Sequence, residues 1–241
     1  MVPKIILEVA VFGVEAALSA IKAGANRIEF CENPLEGGTT PSHGSLQTLI
    51  SKTSIPVFPI VRPRGGDFLY TETEFEVIVE DIKFIKSLGY KGAVVGFLLK
   101  DGSIDIKRTK AIVDLAAPME ITFHRAFDRC HNPFQAIEDL IHAGCKRILT
   151  SAQVPNVMEG LNLLKSLVDK AAGRIIILPG SGVRAKNCRQ IIDAVGAIEI
   201  HSSARIAVTS LMEYTNPLMK ENLQSTQVDE QEIKAMLEAL I

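Results

Sequence analysis

The chain has 241 residues, of which 47% are hydrophobic and 22% are charged, a composition typical of a globular protein with a large core. This composition excludes an intrinsically disordered chain and a small disulfide-framed one. A formal net charge of -2 provides no basic surface for a phosphate backbone, so nucleic acid is not an expected partner.

Eight short runs rich in β-branched residues alternate with longer segments of helical periodicity, and Gly, Pro, Asn or Ser marks the boundaries. The predicted strands are Lys4–Val9, Arg27–Cys31, Pro56–Val61, Gly92–Phe97, Glu120–His124, Arg147–Thr150, Arg174–Leu178 and Ala197–Ile200. Their spacing of about 25 residues is that of one βα unit in a TIM (β/α)8 barrel. A doubly wound open sheet is the competing α/β architecture, but no glycine-rich dinucleotide motif follows the first strand.

A weaker repeat supports the count of units. Gly24, Gly89, Gly144 and Gly196 each lie shortly before a predicted strand. Glycine at this position predicts the left-handed residue that ends a helix.

We therefore predict a single-domain barrel over residues 1–204 and a C-terminal extension over 205–241. Residues 205–227 lack a regular pattern, whereas 228–241 predict an amphipathic helix that begins after Asp229. The apolar stripe of this helix covers either the barrel or a neighbouring subunit.

The apolar runs and the cysteines of the sequence bear on where in the cell the protein is located. No apolar run approaches the roughly 18 residues that a membrane span requires. The four cysteines (Cys31, Cys130, Cys145 and Cys188) form no CxxC pair. This predicts reduced thiols in a cytoplasmic protein.

Active sites of such barrels lie at the carboxyl ends of the strands. Strand alternation directs one set of polar side chains towards the interior there: Glu8, Glu29, Cys31, Arg62, Thr122, His124, Glu199 and His201. This set is either a self-satisfied ionic cluster that only stabilises the barrel or part of a ligand site.

Two loops resemble an anion-binding cradle. The segment 179–182 contains Gly180, Ser181 and Gly182 after the seventh strand, and His201, Ser202 and Ser203 follow the eighth. Many barrels bind phosphate on backbone N–H groups at this place. The glycine-rich segment 36–42, after the second strand, could close over the mouth.

For metal ions the residues leave two alternatives. Cys31 is the one thiol at the predicted mouth and suits Cu(I), and Cys130, in the loop after the fifth strand, is the one other plausible soft ligand. A harder divalent ion would instead use carboxylates and imidazoles: Glu8, Glu29, Glu199, His124 and His201.

Six segments make the chain similar to the CutC family of copper homeostasis proteins. They are RIEFC (27–31), EGGTTPS (36–42), IPVFPIVRPRGGDF (55–68), TFHRAFD (122–128), RILTS (147–151) and EIHSSA (199–204). The resemblance covers residues 5 to about 220. It implies a TIM barrel, a cytoplasmic homo-oligomer with a dimer favoured, and a role in copper handling with Cu(I) as ligand.

The same resemblance makes Cys31 the residue implied to bind copper. Several family members carry a second cysteine two residues after the first-strand glutamate, where this chain has Ala10. A two-thiol site therefore cannot form at that place.

The residues also support an alternative function, namely an enzyme that acts on a small anionic or phosphorylated substrate by acid–base chemistry. The candidate catalytic residues are Glu29, His124 and Arg62, with Glu29 and His124 exchanging protons. The candidate anion-binding residues are Glu8, Arg64, Arg125, Gly180, Ser181, Gly182, His201, Ser202 and Ser203.

Overall fold

A computed structural model describes residues 5–241, so the predicted strand residue Lys4 lies outside the described residues. The strands are β1 (Ile6–Phe12), β2 (Arg27–Cys31), β3 (Val57–Pro59), β4 (Gly92–Val95), β5 (Glu120–Phe123), β6 (Arg147–Thr150), β7 (Ile176–Pro179), β8 (Glu199–Ser202), β9 (Arg205–Val208) and β10 (Ser225–Val228). The helices are α1 (Val14–Lys22), α2 (His43–Ile50), α3 (Glu72–Ser87), α4 (Ile106–Ala116), α5 (Pro133–Ala143), α6 (Leu161–Ala171), α7 (Ala185–Val195) and α8 (Glu230–Ala239).

The first eight strands lie side by side in chain order, which confirms the predicted α/β barrel class. Parallel ladders join them as two halves, β3-β2-β1-β8 and β4-β5-β6-β7. The Val61 N–H donates to the Val94 carbonyl at 2.8 Å and links β3 to β4. Within residues 5–241 no ladder pairs β7 with β8, although the two strands are neighbours.

Alternation along β1 shows how the sequence positions the site. Leu7, Val9 and Val11 are fully buried and pack with the apolar face of α1. Glu8 and Ala10 lie on the opposite face of the strand, which is the barrel interior.

The predicted helix-ending glycines are confirmed. Gly24, Gly89, Gly144 and Gly196 all have positive φ, between 73° and 101°. This left-handed conformation turns the chain from a helix into the next strand.

The C-terminal segment is more regular than its sequence predicts. The antiparallel pair β9 and β10 lies in residues 205–227, which were expected to be irregular, and ends at Val228, which was expected to belong to the helical segment. Helix α8 follows, and the Asp229 carboxylate accepts from the N–H groups of Gln231 and Glu232. The buried residues of α8, Ile233 and Met236, lie against the barrel helices, so the stripe covers the barrel.

Among residues 5–241, no helix combines the length and the apolar character that a membrane crossing requires.

Candidate functional site

The barrel contains a chain of paired charges, here called the central ion cluster and made of Glu8, Arg27, Glu120, Arg147, Glu199 and His201. All of them are buried except Glu120, which is exposed at the start of β5. Arg27 donates to both Glu8 and Glu199. Arg147 donates to Glu199 at 3.2 Å and lies 2.8 Å from Glu120. Buried charges are tolerated only when they are paired in this way.

One aromatic ring packs against both arginines. The Phe58 ring lies 5.4 Å from the Arg27 guanidinium carbon and 5.2 Å from that of Arg147. Gly92 makes room for this ring, because a Cβ there would lie 2.5 Å from the Phe58 Cζ. The barrel interior therefore combines ion pairs with cation–π contacts.

His201 connects the central ion cluster to Glu29. Its Nδ1 lies 2.8 Å from a Glu8 carboxylate oxygen, and its Nε2 lies 3.7 Å from Glu29. Burial by itself disfavours the imidazolium, but the two carboxylates outweigh this effect and raise the pKa of His201. Burial likewise opposes ionisation of Glu8, yet Arg27 and His201 lower its pKa to about 2.

Glu29 is the carboxyl group whose ionisation the surroundings resist. Three cations (Arg27, Arg147 and His201) already match three carboxylates (Glu8, Glu120 and Glu199) within the central ion cluster. Burial, reinforced by the nearby Glu8 charge, raises the pKa of Glu29 from 4.5 to about 7 despite the opposing effect of His201. A carboxyl group with this pKa can accept or release a proton near neutral pH.

An open cavity of about 1120 Å³ lies above the cluster at the carboxyl ends of the strands. Nine of the sequence-predicted site residues line it: Glu29, Arg62, His124, Arg125, Ser181, Gly182, His201, Ser202 and Ser203. Glu29 thus connects the charged interior with a space large enough for a small molecule.

Four other predicted residues do not line the cavity. Glu8 is fully buried between Arg27 and His201. Arg64 is bound instead by Asp67 and Glu74. Gly180 takes part in backbone pairing instead, because its N–H donates to the Thr150 carbonyl. Cys31 is buried in an apolar cluster.

Arg62 has a structural task. Its guanidinium donates to the carbonyls of Glu36 at 2.6 Å, Gly38 at 2.9 Å and Gly66 at 2.8 Å. It thereby fastens the 36–42 loop to the loop after β3. Its charge remains next to the cavity, but most of its donors are occupied.

His124 directly follows β5 and caps the short helical turn Arg125–Arg129. Its Nδ1 accepts from the Ala126 N–H at 3.1 Å, and its Nε2 is buried without a partner among residues 5–241. Burial and the Arg62 charge lower the pKa of His124 to about 3. The imidazole is therefore neutral near pH 7, so the expected proton exchange through His124 conflicts with its surroundings.

The loops after β7 and β8 keep unused backbone donors. Within residues 5–241, the N–H groups of Ser181, Gly182 and Ser203 donate to no acceptor. Arg184 and Arg205 also line the cavity. At the N-terminus of α7, the Ala185 N–H is already used, because it donates to the Glu232 carboxylate at 2.8 Å.

Arg125 is anchored beside the same cavity. It donates to Asp128 at 2.7 Å and to the Ser151 hydroxyl at 2.8 Å. The Asp128 carboxylate also accepts from the backbone N–H of Ser151 and Gln153 at 3.1 Å. Asp128, which sequence reasoning missed as a site residue, therefore ties the β5 and β6 loops together.

Sequence reasoning also missed Arg27 and Arg147. Each is the first residue of its strand and shares an interior face with later inward residues. The repeated Arg-Ile pair, at 27–28 and 147–148, was the available signal. The sequence pattern predicts the two arginines only as the first residues of their strands and not as interior charges.

The donors do not fit a Cu(I) site. Burial, strengthened by the neighbouring Glu29, raises the pKa of Cys31 well above its ordinary value. Copper(I) binding requires the thiolate, and soft sites use several sulfur ligands. Among residues 5–241, no three His, Cys, Asp or Glu side chains are grouped to hold a metal ion.

Comparisons with known proteins agree with one another. The family model described as the CutC family matches residues 5–206. The copper homeostasis protein cutC homolog of Mus musculus is 47% identical over 211 residues, covering 88% of this chain and 78% of the relative. A CutC family protein of Chromobacterium violaceum is 46% identical over 209 residues, covering 87% and 85%.

Solved structures give the same result for the fold. A CutC structure from Streptococcus agalactiae has a TM-score of 0.78 at 30% identity and covers 83% of this chain and 98% of its own. Phosphoribosylanthranilate isomerase from Thermotoga maritima has a TM-score of 0.60 at 13% identity, covering 98% of both chains. The second likeness concerns the barrel fold alone.

The raised pKa of Glu29 predicts a pH dependence of stability. Its folded-state pKa lies above the unfolded value of 4.5, so the folded protein holds a proton that the unfolded chain releases. Between pH 4.5 and about 7 this lowers the unfolding free energy of the wild type, by roughly 1–3 kcal/mol. We expect Glu29→Gln to remove this loss, as measured by urea denaturation at several pH values.

Glu15→Gln, an exposed change on α1, is the matched control and should keep the wild-type slope. His201 contributes a slope of the same sign, so a shallower dependence should remain in Glu29→Gln. Identical slopes in the wild type and Glu29→Gln would contradict the raised pKa.

Proposed function

The chain belongs to the CutC family, a copper homeostasis family, and we propose that it is an enzyme that binds a small anionic molecule and transfers a proton through Glu29. The supporting observation is the position of Glu29 between the central ion cluster and the cavity, with a pKa of about 7. Side chains tuned in this way are typical of acid–base catalysts.

The anion would bind at the loops after β7 and β8. Unused backbone N–H groups at Ser181, Gly182 and Ser203, together with Arg184 and Arg205, offer donors and positive charge. Phosphate or carboxylate groups suit such donors. Arg62 and Arg125 add positive charge to the same cavity.

Proton transfer is assigned to Glu29 with His201 and Glu8 as positioning residues. His201 contacts Glu29 on one side and is held by Glu8 on the other. The positive charge of His201 stabilises the ionised form of Glu29 and prevents its pKa from rising further. This arrangement keeps both protonation states of Glu29 accessible.

Copper handling enters through the name of the mouse relative. The isolated Cys31 thiol, kept protonated by its surroundings, does not suit tight Cu(I) binding. We propose that any part this chain takes in copper homeostasis runs through chemistry on a small molecule.

We also propose a cytoplasmic homodimer. The four cysteines are free and buried, which suits a reducing compartment. Several large apolar side chains between β9 and β10 are exposed, including Leu211, Tyr214 and Leu218. Exposed apolar groups of this kind are typical of surfaces that bind another protein chain.

Anion binding predicts stabilisation by phosphate. At about tenfold above its Kd, phosphate should raise Tm by about 3 °C over chloride of equal ionic strength. Arg184→Ala should reduce this shift. Arg189→Ala, whose guanidinium pairs with Asp193 on the exposed side of α7, should not. An equal Tm in both salts would contradict the cradle.

Catalysis predicts turnover that depends on Glu29. The wild type is incubated in D2O with a panel of small phosphorylated and carboxylated compounds, and proton NMR detects conversion or deuterium uptake. We expect at least one compound to react, with a loss of about 10²- to 10⁴-fold in Glu29→Gln and none in Glu15→Gln. An inert wild type, or equal rates in Glu29→Gln, would argue against the enzyme.

An anaerobic Cu(I) titration against a competing chelator tests whether Cys31 binds copper tightly. We expect weak binding that Cys31→Ser leaves unchanged, because the thiol is buried and has no sulfur partner at Ala10. One tightly held Cu(I) per chain, lost in Cys31→Ser but kept in Cys188→Ser, would overturn this expectation.

A further inference from the structure

The proton of His124 is on a defined nitrogen. The Ala126 N–H donates to Nδ1 at 3.1 Å, so Nδ1 is the acceptor. The neutral ring must then carry its proton on Nε2. The turn Arg125–Arg129, which His124 begins, fixes this tautomer.

That Nε2–H group has no acceptor. It is buried, and no partner for it exists among residues 5–241. Only 4% of the residue surface is exposed, yet His124 lines the cavity. Native proteins seldom leave a buried donor unsatisfied, and a ligand site is one of the established reasons.

The ring cannot easily turn to find another partner. The Phe68 ring lies 4.9 Å from the His124 ring, centroid to centroid. On another side, a Cβ at Gly96 would lie 2.3 Å from the His124 Cε1. Packing against Phe68 and Gly96 therefore holds Nε2 in place.

The local potential favours an electron-rich acceptor. Arg62 packs on the same Phe68 ring that contacts His124, and its guanidinium carbon lies 5.0 Å from the Phe68 centroid. Backbone carbonyls accept from most of the Arg62 donors, so the main contribution of Arg62 at this place is its positive charge. An oxygen that bears partial or full negative charge is stabilised next to such a pair.

We propose that the Nε2–H of His124 binds a carbonyl or carboxylate oxygen of the substrate. This inference rests on the proposed function and deepens it, because it defines the substrate class. The substrate would carry an anionic group for the β7 and β8 loops and a carbonyl-type oxygen for His124. A neutral imidazole donor suits this task, since it strengthens its hydrogen bond as charge develops on the oxygen.

Two probes separate this subsite from the anion cradle. Ethyl phosphate carries the phosphate alone, whereas 2-phosphoglycolate carries a phosphate and a carboxylate. Calorimetric titration of the full-length protein should show that phosphoglycolate binds about 10- to 100-fold more tightly, as expected for a hydrogen bond to a charged group.

The added affinity should depend on His124. His124→Phe keeps a ring of similar size beside Phe68, and Gly96→Ala displaces the imidazole without removing it. Both variants should bind the two probes with equal affinity. His142→Phe, an exposed change on α5, should retain the wild-type preference.

A measurement on the wild type avoids any folding defect in the variants. In 15N-histidine-labelled protein, the Nε2–H resonance of His124 should move on addition of phosphoglycolate and stay unmoved with ethyl phosphate. Equal affinity of the wild type for both probes, or an unmoved resonance, would overturn the subsite while leaving the anion cradle intact. Failure of both probes to bind would overturn the anion cradle, and the subsite with it.

Discussion

Two arginines buried inside a barrel are the constraint on which the rest of the site depends. Arg27 and Arg147 both pack against Phe58, where an unpaired guanidinium could not be tolerated. Glu8, Glu120 and Glu199 supply the opposing charges, and His201 completes the cluster through Glu8. Glu29 lies beside this balanced set, and its burial, reinforced by the Glu8 charge, raises its pKa so that the protonated form persists at a pH where other glutamates are ionised. The property that makes Glu29 useful is therefore a consequence of how the barrel interior is filled.

The cavity above the cluster differs from the interior in one respect: some of its donors lack acceptors. Below, each buried arginine meets carboxylates. Above, the His124 Nε2–H and the loop N–H groups at Ser181 and Ser203 have none among the described residues. Such a surface is complementary to a molecule rich in oxygen acceptors. It is poorly suited to Cu(I), which prefers sulfur and finds a single protonated thiol at Cys31.

Much of this arrangement could be predicted from the sequence because strand alternation is a local pattern. It placed Glu29, His124 and His201 inside the barrel, and the glycines before the strands marked the helix ends correctly. Other features depend on contacts between distant segments. The role of Arg62 is set by carbonyls of the 36–42 loop, and Arg64 is bound by Asp67 and Glu74 outside the cavity. No periodicity in the sequence predicts the β9–β10 pair, because its ladder joins residues about 20 positions apart.

The proposed acid–base site depends most directly on the protonation of one carboxyl group, that of Glu29. Carbon-13 NMR of protein labelled at the glutamate carboxyl carbon, titrated from acid to neutral pH, measures it, and the resonance is assigned by its absence in Glu29→Gln. We predict a midpoint near 7 for Glu29. A midpoint near 4.5, the ordinary glutamate value, would show that burial beside the Glu8 charge does not raise the pKa of Glu29 and would contradict the proposed acid–base site.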